Sequence, residues 1–569
     1  GGGSMASPHT PIAEAALRDG LPARLRERVR LAKSGEVHRR PVIYWMRNAL
    51  RAHENPALDA AAVAAATLRV PLLVLIHVED LYPHATARRQ LFLLQGARSV
   101  QAELHARGAR AVYVQVDRQG HRQRLCSMLA LKASILVAEE PFCVPWLAGV
   151  ELLCEETFEA PVWLVDCSSV VPSALVPRSA CQRAYAFEQA TRELHAERVV
   201  MRWNDVELDH DEASYDYVEG LLPSVDLHRM DLWTLVQQMD VDMSVPPVSH
   251  TTGGSDAGYD RWARWVSAGG LKSYAKRRND SLDVHGVSRM SAYLNAGMVS
   301  PFRLARDACS ATGAGKSKFL HEFLTWRGLA YAHCYHFPMA ASGATLAQLP
   351  AWAQETLRQH ASDLRRTVSR EQLALGRSGD AAWDGMQRYL VETGELHNNA
   401  RMGWGKAVVK WTASPEEAID VLLELNNRFA LDGHAPPSYG GLLGCMGLFE
   451  GPKQNGRIFG RVAFKPPKAR YAAMPALIKK LSAIAQGSRS GGARTVFEND
   501  HVDKSRTAMG GGARIVFESA QADNSKTAAN QDCGGAGAAW SFSSEGAVSR
   551  KRRWVAKLRC GGTQSIDLT

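Results

Sequence analysis

The sequence predicts an α/β domain built on a parallel, doubly wound sheet, followed by a larger all-α domain. Short apolar runs alternate with helical segments in the first third of the chain. From about residue 259 onward, the pattern is helical. The chain has 569 residues, of which 46% are hydrophobic and 22% charged, the composition of a folded protein. At about 150 residues per domain, this length suffices for three or four compact units.

The N-terminal domain is predicted from five apolar runs that have the length of buried strands. Between the second and third runs lies RRQLFLLQGARSVQAELHAR (88–107), which has the 3.6-residue period of a helix. Strands separated by helices indicate βαβ units with helices on both faces of a parallel sheet. Ligands of such domains tend to bind beyond the carboxyl ends of the strands. The predicted strands are 41–46, 70–78, 111–116, 134–137 and 162–165.

Changes of composition divide the chain further. Prolines and the Gly/Ser-rich HTTGGSDAG (250–258) indicate an interdomain connection. Residues 491–508 recur as 511–528 with a 20-residue period, and two copies are too few for a solenoid. Gly, Ser, Ala and Asn dominate the surrounding tail, so we expect it to be mostly disordered. The predicted divisions are 1–21 for an N-terminal extension with a cloning remnant at 1–4, 22–175 for the α/β domain, 176–258 for the connection, 259–486 for the all-α domain and 487–569 for the tail.

Composition also limits the function classes. The apolar runs are far shorter than the ~20 residues of a membrane span, and the pattern of a secretory signal is not found. Ten scattered cysteines without a CxxC pair or zinc spacing indicate free thiols in a reducing compartment and no metal site. We therefore expect an intracellular protein without a membrane partner, cytoplasmic or nuclear, with organelle targeting left open. The formal net charge of +10 is compatible with a nucleic-acid partner.

Two further motifs have competing interpretations. SATGAGKS (310–317) resembles a phosphate-binding loop, but it lacks the first glycine and follows a helical segment rather than a strand. The prediction is therefore a loop between helices. RKRR (550–553) is a candidate nuclear import signal or polyanion contact, with a solvated run of charge as the alternative.

Three tryptophans of the helical half have informative spacing. Trp404 and Trp411 are seven residues apart, which places them on one face of a helix. Trp383 belongs to the preceding helix, which can pack beside it. Packing in the core is the ordinary explanation of this spacing, and an electron relay is the alternative.

Six segments of the sequence are diagnostic of a protein family in combination, although no one of them would suffice alone. They are YWMRNALRAHENPAL (44–58), GLKSYAKRRND (270–280), GVSRMSAYLNAGMVSP (286–301), WDGMQRYLVETGELHNNARMGWGKAVVKW (383–411), SPEEAIDVLLELNNRFALDG (414–433) and RIFGRVAF (457–464). In this order, from about residue 22 to 480, the chain resembles the photolyase/cryptochrome family, and within it the class II cyclobutane-pyrimidine-dimer photolyases. The resemblance implies an antenna-like α/β domain and a helical domain that holds FAD non-covalently in a U shape. A second antenna chromophore is left open, and its identity is not readable.

The resemblance implies a set of cofactor contacts. Ser288 and Ser291 match a turn that binds the FAD pyrophosphate, and Tyr274 matches a tyrosine at the phosphates. Arg401 and Asp432 match an ion pair beside the isoalloxazine ring, where positive charge favours the anionic, reduced FADH⁻. Helix caps and a surface salt bridge are the ordinary alternatives. The implied cofactor-binding set is Tyr274, Val287, Ser288, Met290, Ser291, Asn398, Arg401, Asn426, Asp432 and Gly433.

The resemblance also implies catalytic roles. Asn426 matches an asparagine near flavin N5, and Asn398 a polar contact near the adenine. Glu322 would hydrogen-bond the substrate dimer and stabilise its radical anion. Trp326 would stack on a dimer that is flipped out of the duplex, and Met402 would touch the lesion.

The three tryptophans also match the family. Trp383, Trp404 and Trp411 fall at the spacings of the class II photoreduction chain, with Trp404 taken as the central tryptophan. The resemblance therefore implies an electron relay from the surface to the flavin.

Several positions depart from the family's pattern. Gly444 stands where class II enzymes usually carry a second substrate-stacking tryptophan, and Gly403 stands where they carry a tyrosine before Trp404. Residues 433–438 read Gly-His-Ala-Pro-Pro-Ser in place of Gly-Arg-Asp-Pro-Asn-Gly. The loss of one stacking aromatic costs about 1–3 kcal/mol of base binding. The residues that match cofactor contacts of the family are thus largely retained, whereas some of those that match substrate contacts are missing.

Two function classes follow from the resemblance. The first is a light-driven DNA photolyase, a carbon–carbon lyase that splits cyclobutane pyrimidine dimers in damaged DNA by electron transfer from photoexcited FADH⁻. The alternative is a cryptochrome-like photoreceptor that signals to a protein partner through flavin photoreduction, without dimer repair. The retained Glu322, Trp326 and Met402 and the basic charge favour the first class. The tail of roughly 80 residues favours the second.

Overall fold

The computed structural model describes residues 13–119, 133–155, 159–208, 224–340 and 342–481. The predictions about the cloning remnant, the tandem repeat, the disordered tail and the basic cluster at 550–553 concern residues outside this part of the chain. Within it, an α/β region precedes a helical region, in the order that the sequence predicts.

A six-stranded sheet lies at the centre of the α/β domain. Its strands are β1 (Val29–Lys33), β2 (Val42–Met46), β3 (Leu72–Val78), β4 (Ala111–Val116), β5 (Ile135–Glu139) and β6 (Val162–Val165). They are arranged in the order β1-β6-β5-β2-β3-β4, and all neighbours from β6 to β4 run parallel. The five predicted strands are therefore confirmed, each within two residues at either end.

The first strand corrects the prediction of a wholly parallel sheet. β1 lies at the edge and pairs antiparallel with β6, with Val29 opposite Val165. Its sequence VRLAK mixes basic residues with apolar ones, and all five residues are only half-buried. Such a strand contains no apolar run, so the search for buried strands missed it. Arg30 of this strand binds both carboxylate oxygens of Glu140, at 3.0 and 2.7 Å.

Helices cover both faces of the sheet. In β2, Val42 and Tyr44 pack into one apolar cluster, whereas Ile43 and Trp45 pack into another on the opposite face. The helices of this part are α1 (Glu14–Asp19), α2 (Ala23–Arg26), α3 (Pro56–Leu68), α4 (Ala87–Ala106) and α5 (Trp146–Glu155). The first cluster includes residues of α3 and α4, and the second includes Val150 of α5.

The region predicted as an interdomain connection has structure of its own. It includes a 15-residue helix, α6 (Ala184–Arg198), and a short helix, α7 (Leu232–Gln237). Phe187 of α6 is buried against Gly328 of the helical domain: a Cβ built on that glycine would lie 2.9 Å from the phenylalanine ring. Residues 184–198 therefore belong to the packed structure rather than to an extended link.

The helical domain supplies most of the elements around the site described below. Its helices are α8 (Ser255–Ser267), α9 (Gly270–Arg277), α10 (Ser291–Asn295), α11 (Pro301–Ser310), α12 (Gly315–Leu320), α13 (Gly328–His336), α14 (Ala351–Gln359), α15 (Arg370–Ala374), α16 (Ala381–Thr393), α17 (Asn398–Trp411), α18 (Pro415–Phe429) and α19 (Pro436–Gly444). A π-helical turn, His321–Arg327, joins α12 to α13. SATGAGKS spans the end of α11 and the start of α12, which confirms the loop between helices.

Two arginines of α4 connect the α/β domain to the helical domain. The guanidinium group of Arg88 donates hydrogen bonds to the carbonyl oxygens of Phe429 and Val391, at 2.8 and 2.6 Å. Arg89 donates to the carbonyls of Leu431 and Gly433, at 3.4 and 3.1 Å. Both arginines are buried, so these contacts replace water around the loop that follows α18.

Two features are absent from the described residues. Among the helices of the described ranges, none is long and apolar enough to cross a membrane. Over the same residues, no group of three or more His, Cys, Asp or Glu side chains could hold a metal ion.

Candidate functional site

A cavity of about 740 Å³ lies within the helical domain. Its walls are formed by α9, the turn at 287–291, the π-helical turn, the start of α17, and α19 with the loop before it. The structure brings most of the predicted site residues into this one cavity, although Tyr274 and Asp432 are 158 positions apart in the chain. The predicted residues that line it are Tyr274, Val287, Ser288, Met290, Ser291, Glu322, Trp326, Asn398, Arg401, Met402 and Asp432.

The predicted ion pair between Arg401 and Asp432 is present in one wall. Nη2 of Arg401 contacts the two carboxylate oxygens of Asp432 at 2.9 and 3.2 Å, and its Nη1 donates to Oγ of Ser438 at 3.1 Å. The hydroxyl of Ser438 in turn donates to the backbone carbonyl of Asp432 at 3.0 Å. Arg401 is therefore held from two directions, which orients its positive charge along the cavity wall.

Two predicted cofactor contacts do not line the cavity. Asn426 is 1% exposed, and its amide donates to Oδ1 of Asn427 and to Oγ of Ser438, at 3.1 and 3.2 Å. Gly433 presents its carbonyl to Arg89 and to the side chain of Asn295. Both residues lie behind the lining and support it. Ser438, which lines the wall, was not predicted as a site residue, because a lone serine gives no local signal.

The opposite wall has one carboxylate between two cations. Glu322 binds Nη2 of Arg278 at 2.9 Å and Nζ of Lys318 at 2.8 Å. Burial and the charge of Glu322 raise the pKa of the nearby Tyr274, although Arg278 opposes this shift. Lys318 and Glu322 are four residues apart, a spacing that could have revealed their pairing, whereas Arg278 is too distant in sequence.

One part of the cavity wall lacks large side chains. A Cβ built on Gly444 would meet only the terminal methyl group of Met402, at 3.8 Å, and one built on Gly441 would meet nothing within 4 Å. Trp326, which is 41% exposed, is the large aromatic side chain predicted to contact a substrate here. The departure at Gly444 therefore leaves this position uncrowded, because beyond its own helix only Met402 comes within 4 Å of a Cβ built there.

The turn at 287–291 has an unusual backbone conformation. Arg289 has φ +56°, in the left-handed region, and Ser291 is the first residue of α10. Arg289 forms an ion pair with both oxygens of Glu395, at 2.6 and 2.8 Å. Burial alone would raise the pKa of Glu395, but the charge and hydrogen bonds of Arg289, with Arg261, lower this pKa to about 2. This pair was not predicted from the sequence.

The three tryptophans are in contact, but in a different order from the predicted one. Trp383 stacks on Trp404 with ring centres 6.0 Å apart and planes 6° apart, and it contacts Trp411 edge to face at 5.6 Å. Trp383 is thus the central tryptophan, which corrects the prediction of Trp404. Trp383 and Trp404 are 0% exposed, whereas Trp411 is 6% exposed. These three residues, called the tryptophan row below, therefore run from Trp404, which is near Arg401 on α17, toward the surface at Trp411.

The residues of the cavity fit the cofactor that the sequence resemblance implies. Its volume lies within the range of roughly 300–1,000 Å³ that is usual for small-molecule sites. Ser288 and Ser291 provide hydroxyl groups on one side, and Arg278 and Arg401 provide cations on others. This donor set suits a dinucleotide with an anionic linker, which FAD is.

Comparison with known proteins agrees with the fold. The family model described as DNA photolyase matches residues 42–202. Two curated relatives are deoxyribodipyrimidine photo-lyases, one from Methanothermobacter thermautotrophicus and one from Arabidopsis thaliana. The first is 28% identical over 74% of this chain and 90% of its own, and the second is 27% identical over 74% and 85%. A cryptochrome from Synechocystis superposes with a TM-score of 0.54 at 15% identity, over 80% of this chain and 94% of its own.

These matches indicate the class of protein that the chain is similar to. It resembles photolyases and cryptochromes, a family that uses FAD, in sequence over about three quarters of its length and in fold.

Proposed function

We propose that this protein is a class II-like DNA photolyase that uses blue light to split cyclobutane pyrimidine dimers. The observation that supports this proposal most is the cavity, where Arg401, Asp432, Glu322, Trp326 and Met402 converge. The chemistry supplied there by bound, reduced FAD is the donation of an electron to the dimer on absorption of blue light.

Arg401 and Asp432 would set the electrostatics of the cofactor side. A guanidinium group that is buried and fixed by Asp432 and Ser438 stabilises negative charge close to it more strongly than the same group in water does. We infer that this wall favours the anionic, reduced form of the flavin. Asn426 would act indirectly, because it holds Ser438 rather than lining the cavity.

The wall formed by Arg278, Glu322 and Lys318 supports a pyrimidine ligand. An ionised carboxylate accepts hydrogen bonds, whereas the two flanking cations donate them. The imide edge of a thymine has the complementary order, with one N–H between two carbonyl oxygens. Trp326 beside this wall would stack on a base that has left the duplex.

A basic segment beside the cavity supports a DNA partner. Residues 451–481 contain eight lysines or arginines and neither Asp nor Glu. Their positions are Lys453, Arg457, Arg461, Lys465, Lys468, Arg470, Lys479 and Lys480. The segment passes along α17, where a Cβ built on Gly403, the neighbour of Met402, would lie 3.4 Å from both Pro466 and Pro467. Exposed basic side chains in this place suit a phosphate backbone.

The open wall at Gly444 favours the second candidate, a cryptochrome-like photoreceptor. Without an aromatic side chain there, a dimer would be stacked on one platform instead of two, which weakens its binding by about 1–3 kcal/mol. A photoreceptor requires the cofactor wall and the tryptophan row but not a substrate wall. It would signal flavin photoreduction to a protein partner.

The test is repair of a defined dimer under blue light. The purified protein, refilled with FAD, is illuminated without oxygen in the presence of an oligonucleotide with one cyclobutane thymine dimer, and restored thymines are counted by chromatography. We expect repair, and we expect Trp326→Ala to repair less at limiting DNA concentration. Tyr185→Ala, which removes an exposed aromatic outside the cavity lining, should repair like the unmodified protein.

Two other outcomes would contradict this proposal. A protein that binds no FAD after refilling is not a flavoprotein of this kind. A protein that binds FAD and photoreduces it, but leaves the dimer intact, is the photoreceptor.

A further inference from the structure

Arg289 lies in the turn between Ser288 and Met290, with a backbone conformation that arginine seldom adopts. Its φ of +56° is in the left-handed region, where a non-glycine residue costs roughly 1 kcal/mol. Glycine would adopt this φ without that cost. An arginine in this position therefore suggests that its side chain has a role that outweighs the strain.

That side chain reaches across the cavity wall to a second segment. Nε and Nη2 of Arg289 bind the two carboxylate oxygens of Glu395, a residue 106 positions later in the chain. The two side chains are 14% and 19% exposed, and both residues line the cavity. Such a two-point, partly buried arginine–carboxylate contact fixes orientation as well as distance.

A second arginine reinforces this contact from α8. Nη1 of Arg261 donates to the backbone carbonyl of Arg289 at 3.3 Å, and the guanidinium group lies 3.6 Å from Glu395. Its Nη2 donates to the carbonyl of His250 and to the hydroxyl of Thr251, at 2.7 and 2.9 Å. Three separate parts of the chain are therefore joined at one carboxylate.

Glu395 also lies next to the helix that presents Arg401. Gly394, with φ +69°, ends α16, and His397 accepts the N–H of Asn399 as the cap of α17. A shift of Glu395 would therefore move the start of α17. The contact thus relates the turn with Ser288 and Ser291 to the wall with Arg401.

We propose that Arg289 and Glu395, with Arg261 behind them, are positioning residues that hold the turn at 287–291 against the loop at 394–397 and thereby control how tightly FAD is retained. The inference rests on the proposed function, since it takes FAD as the ligand of the cavity. Two arginines against one carboxylate also leave one net positive charge beside the two serines. That charge suits the anionic linker of a dinucleotide.

The experiment measures FAD binding rather than repair. Free FAD is added to apo-protein, and the dissociation constant and the release rate are followed by flavin fluorescence. We expect Glu395→Gln and Arg289→Gly each to raise the dissociation constant at least tenfold and to speed release. Arg289→Gly removes the backbone strain as well, so strain cannot account for a loss of affinity in this variant.

Two further variants separate positioning from general damage to the fold. Arg289→Lys keeps the charge but loses the two-point geometry, and it should recover part of the affinity that Arg289→Gly loses. Glu140→Gln breaks the other two-point pair described above, Arg30–Glu140 in the α/β domain, and should bind FAD like the unmodified protein.

The proposal is overturned if Arg289→Gly and Glu395→Gln both bind FAD within twofold of the unmodified protein. If Glu395→Gln does not fold, the comparison of Arg289→Gly with Arg289→Lys decides alone. Failure of the unmodified protein to bind FAD would overturn the proposed function instead, so the two failures are distinguishable.

Discussion

Gly444 shows how much one missing side chain changes this cavity. Apart from its own helix, a Cβ at this position has only the methyl group of Met402 nearby, and methionine adapts its shape easily. The backbone of α19 therefore permits a larger residue here. The absence of an aromatic ring is a property of the sequence and not a requirement of the fold.

We predict that Gly444→Trp strengthens binding of dimer-containing DNA. A stacking aromatic contributes about 1–3 kcal/mol per base, so the dissociation constant should fall roughly fivefold or more. Fluorescence anisotropy with labelled oligonucleotides measures this directly. Gly444→Leu is the matched control, because it adds bulk without a flat ring and should give little gain. An equal gain on undamaged DNA, or none on the dimer, would contradict the prediction.

At the scale of elements, α16 and α17 hold the tryptophan row in place. Asp380 caps α16 by accepting the N–H groups of Ala382 and Trp383, both at 3.0 Å. The indole N–H of Trp383 donates to the carbonyl of Trp404 at 2.9 Å, and that of Trp404 donates to Gln387 of α16 at 2.9 Å. The two helices thus fix the indole rings of Trp383 and Trp404, each through its own polar atom.

We predict that Trp383→Phe abolishes most photoreduction of bound FAD. Trp383 lies between Trp404 and Trp411, and phenylalanine is much harder to oxidise, so an electron cannot pass through this position in short steps. The rate is measured from the loss of flavin absorbance under blue light with an external reductant. Trp262→Phe is the control, since Trp262 is also buried and also donates its indole N–H, to Asp307. Equal photoreduction rates in the two variants would contradict an electron relay through Trp383.

Elements that depend on local pattern could be predicted, whereas contacts between distant segments could not. The five apolar strands and the loop between α11 and α12 follow from periodicity and spacing. The edge strand β1 was missed because its basic residues interrupt the apolar pattern. The order in which the three tryptophans contact one another depends on how α16 crosses α17. Their spacing in the sequence gives no information about that crossing. Arg289 and Glu395 are 106 residues apart, so no local motif relates them.

At the scale of the whole molecule, buried histidines couple stability to pH. Burial lowers the pKa of His195 and of His333 to about 4, from an ordinary value near 6.5. The unfolded chain therefore binds protons first as the pH falls, and stability is lost from about pH 6.5 toward pH 4. Asp59 acts in the opposite direction, because burial raises its pKa to about 7.

We predict that His333→Gln reduces the loss of stability on acidification. Between pH 7 and 4.5, this variant should lose about 2 kcal/mol less unfolding free energy than the unmodified protein, since one pKa unit corresponds to about 1.4 kcal/mol. Urea unfolding at the two pH values, at equal FAD loading, measures the difference. Asp59 and Glu395 are present in both proteins, so their contributions cancel. If the unfolding free energies of the two proteins fell equally between pH 7 and 4.5, the prediction that His333 is neutral in the folded protein would be wrong.

The hydrogen bonds of Arg88 and Arg89 mean that the two halves of this protein are not interchangeable modules. These arginines belong to the α/β half, yet they satisfy carbonyl groups on both sides of Asp432 in the helical half. A fragment that began after the sheet would remove these donors from the carbonyls of Phe429 and Leu431 and would leave that of Gly433 with Asn295 alone. The loop that orients Arg401 would then be less firmly held. A chimaera with a foreign N-terminal half would have the same defect unless it reproduced both arginines. The α/β half can therefore be exchanged during evolution only together with the surface of the helical half that it contacts.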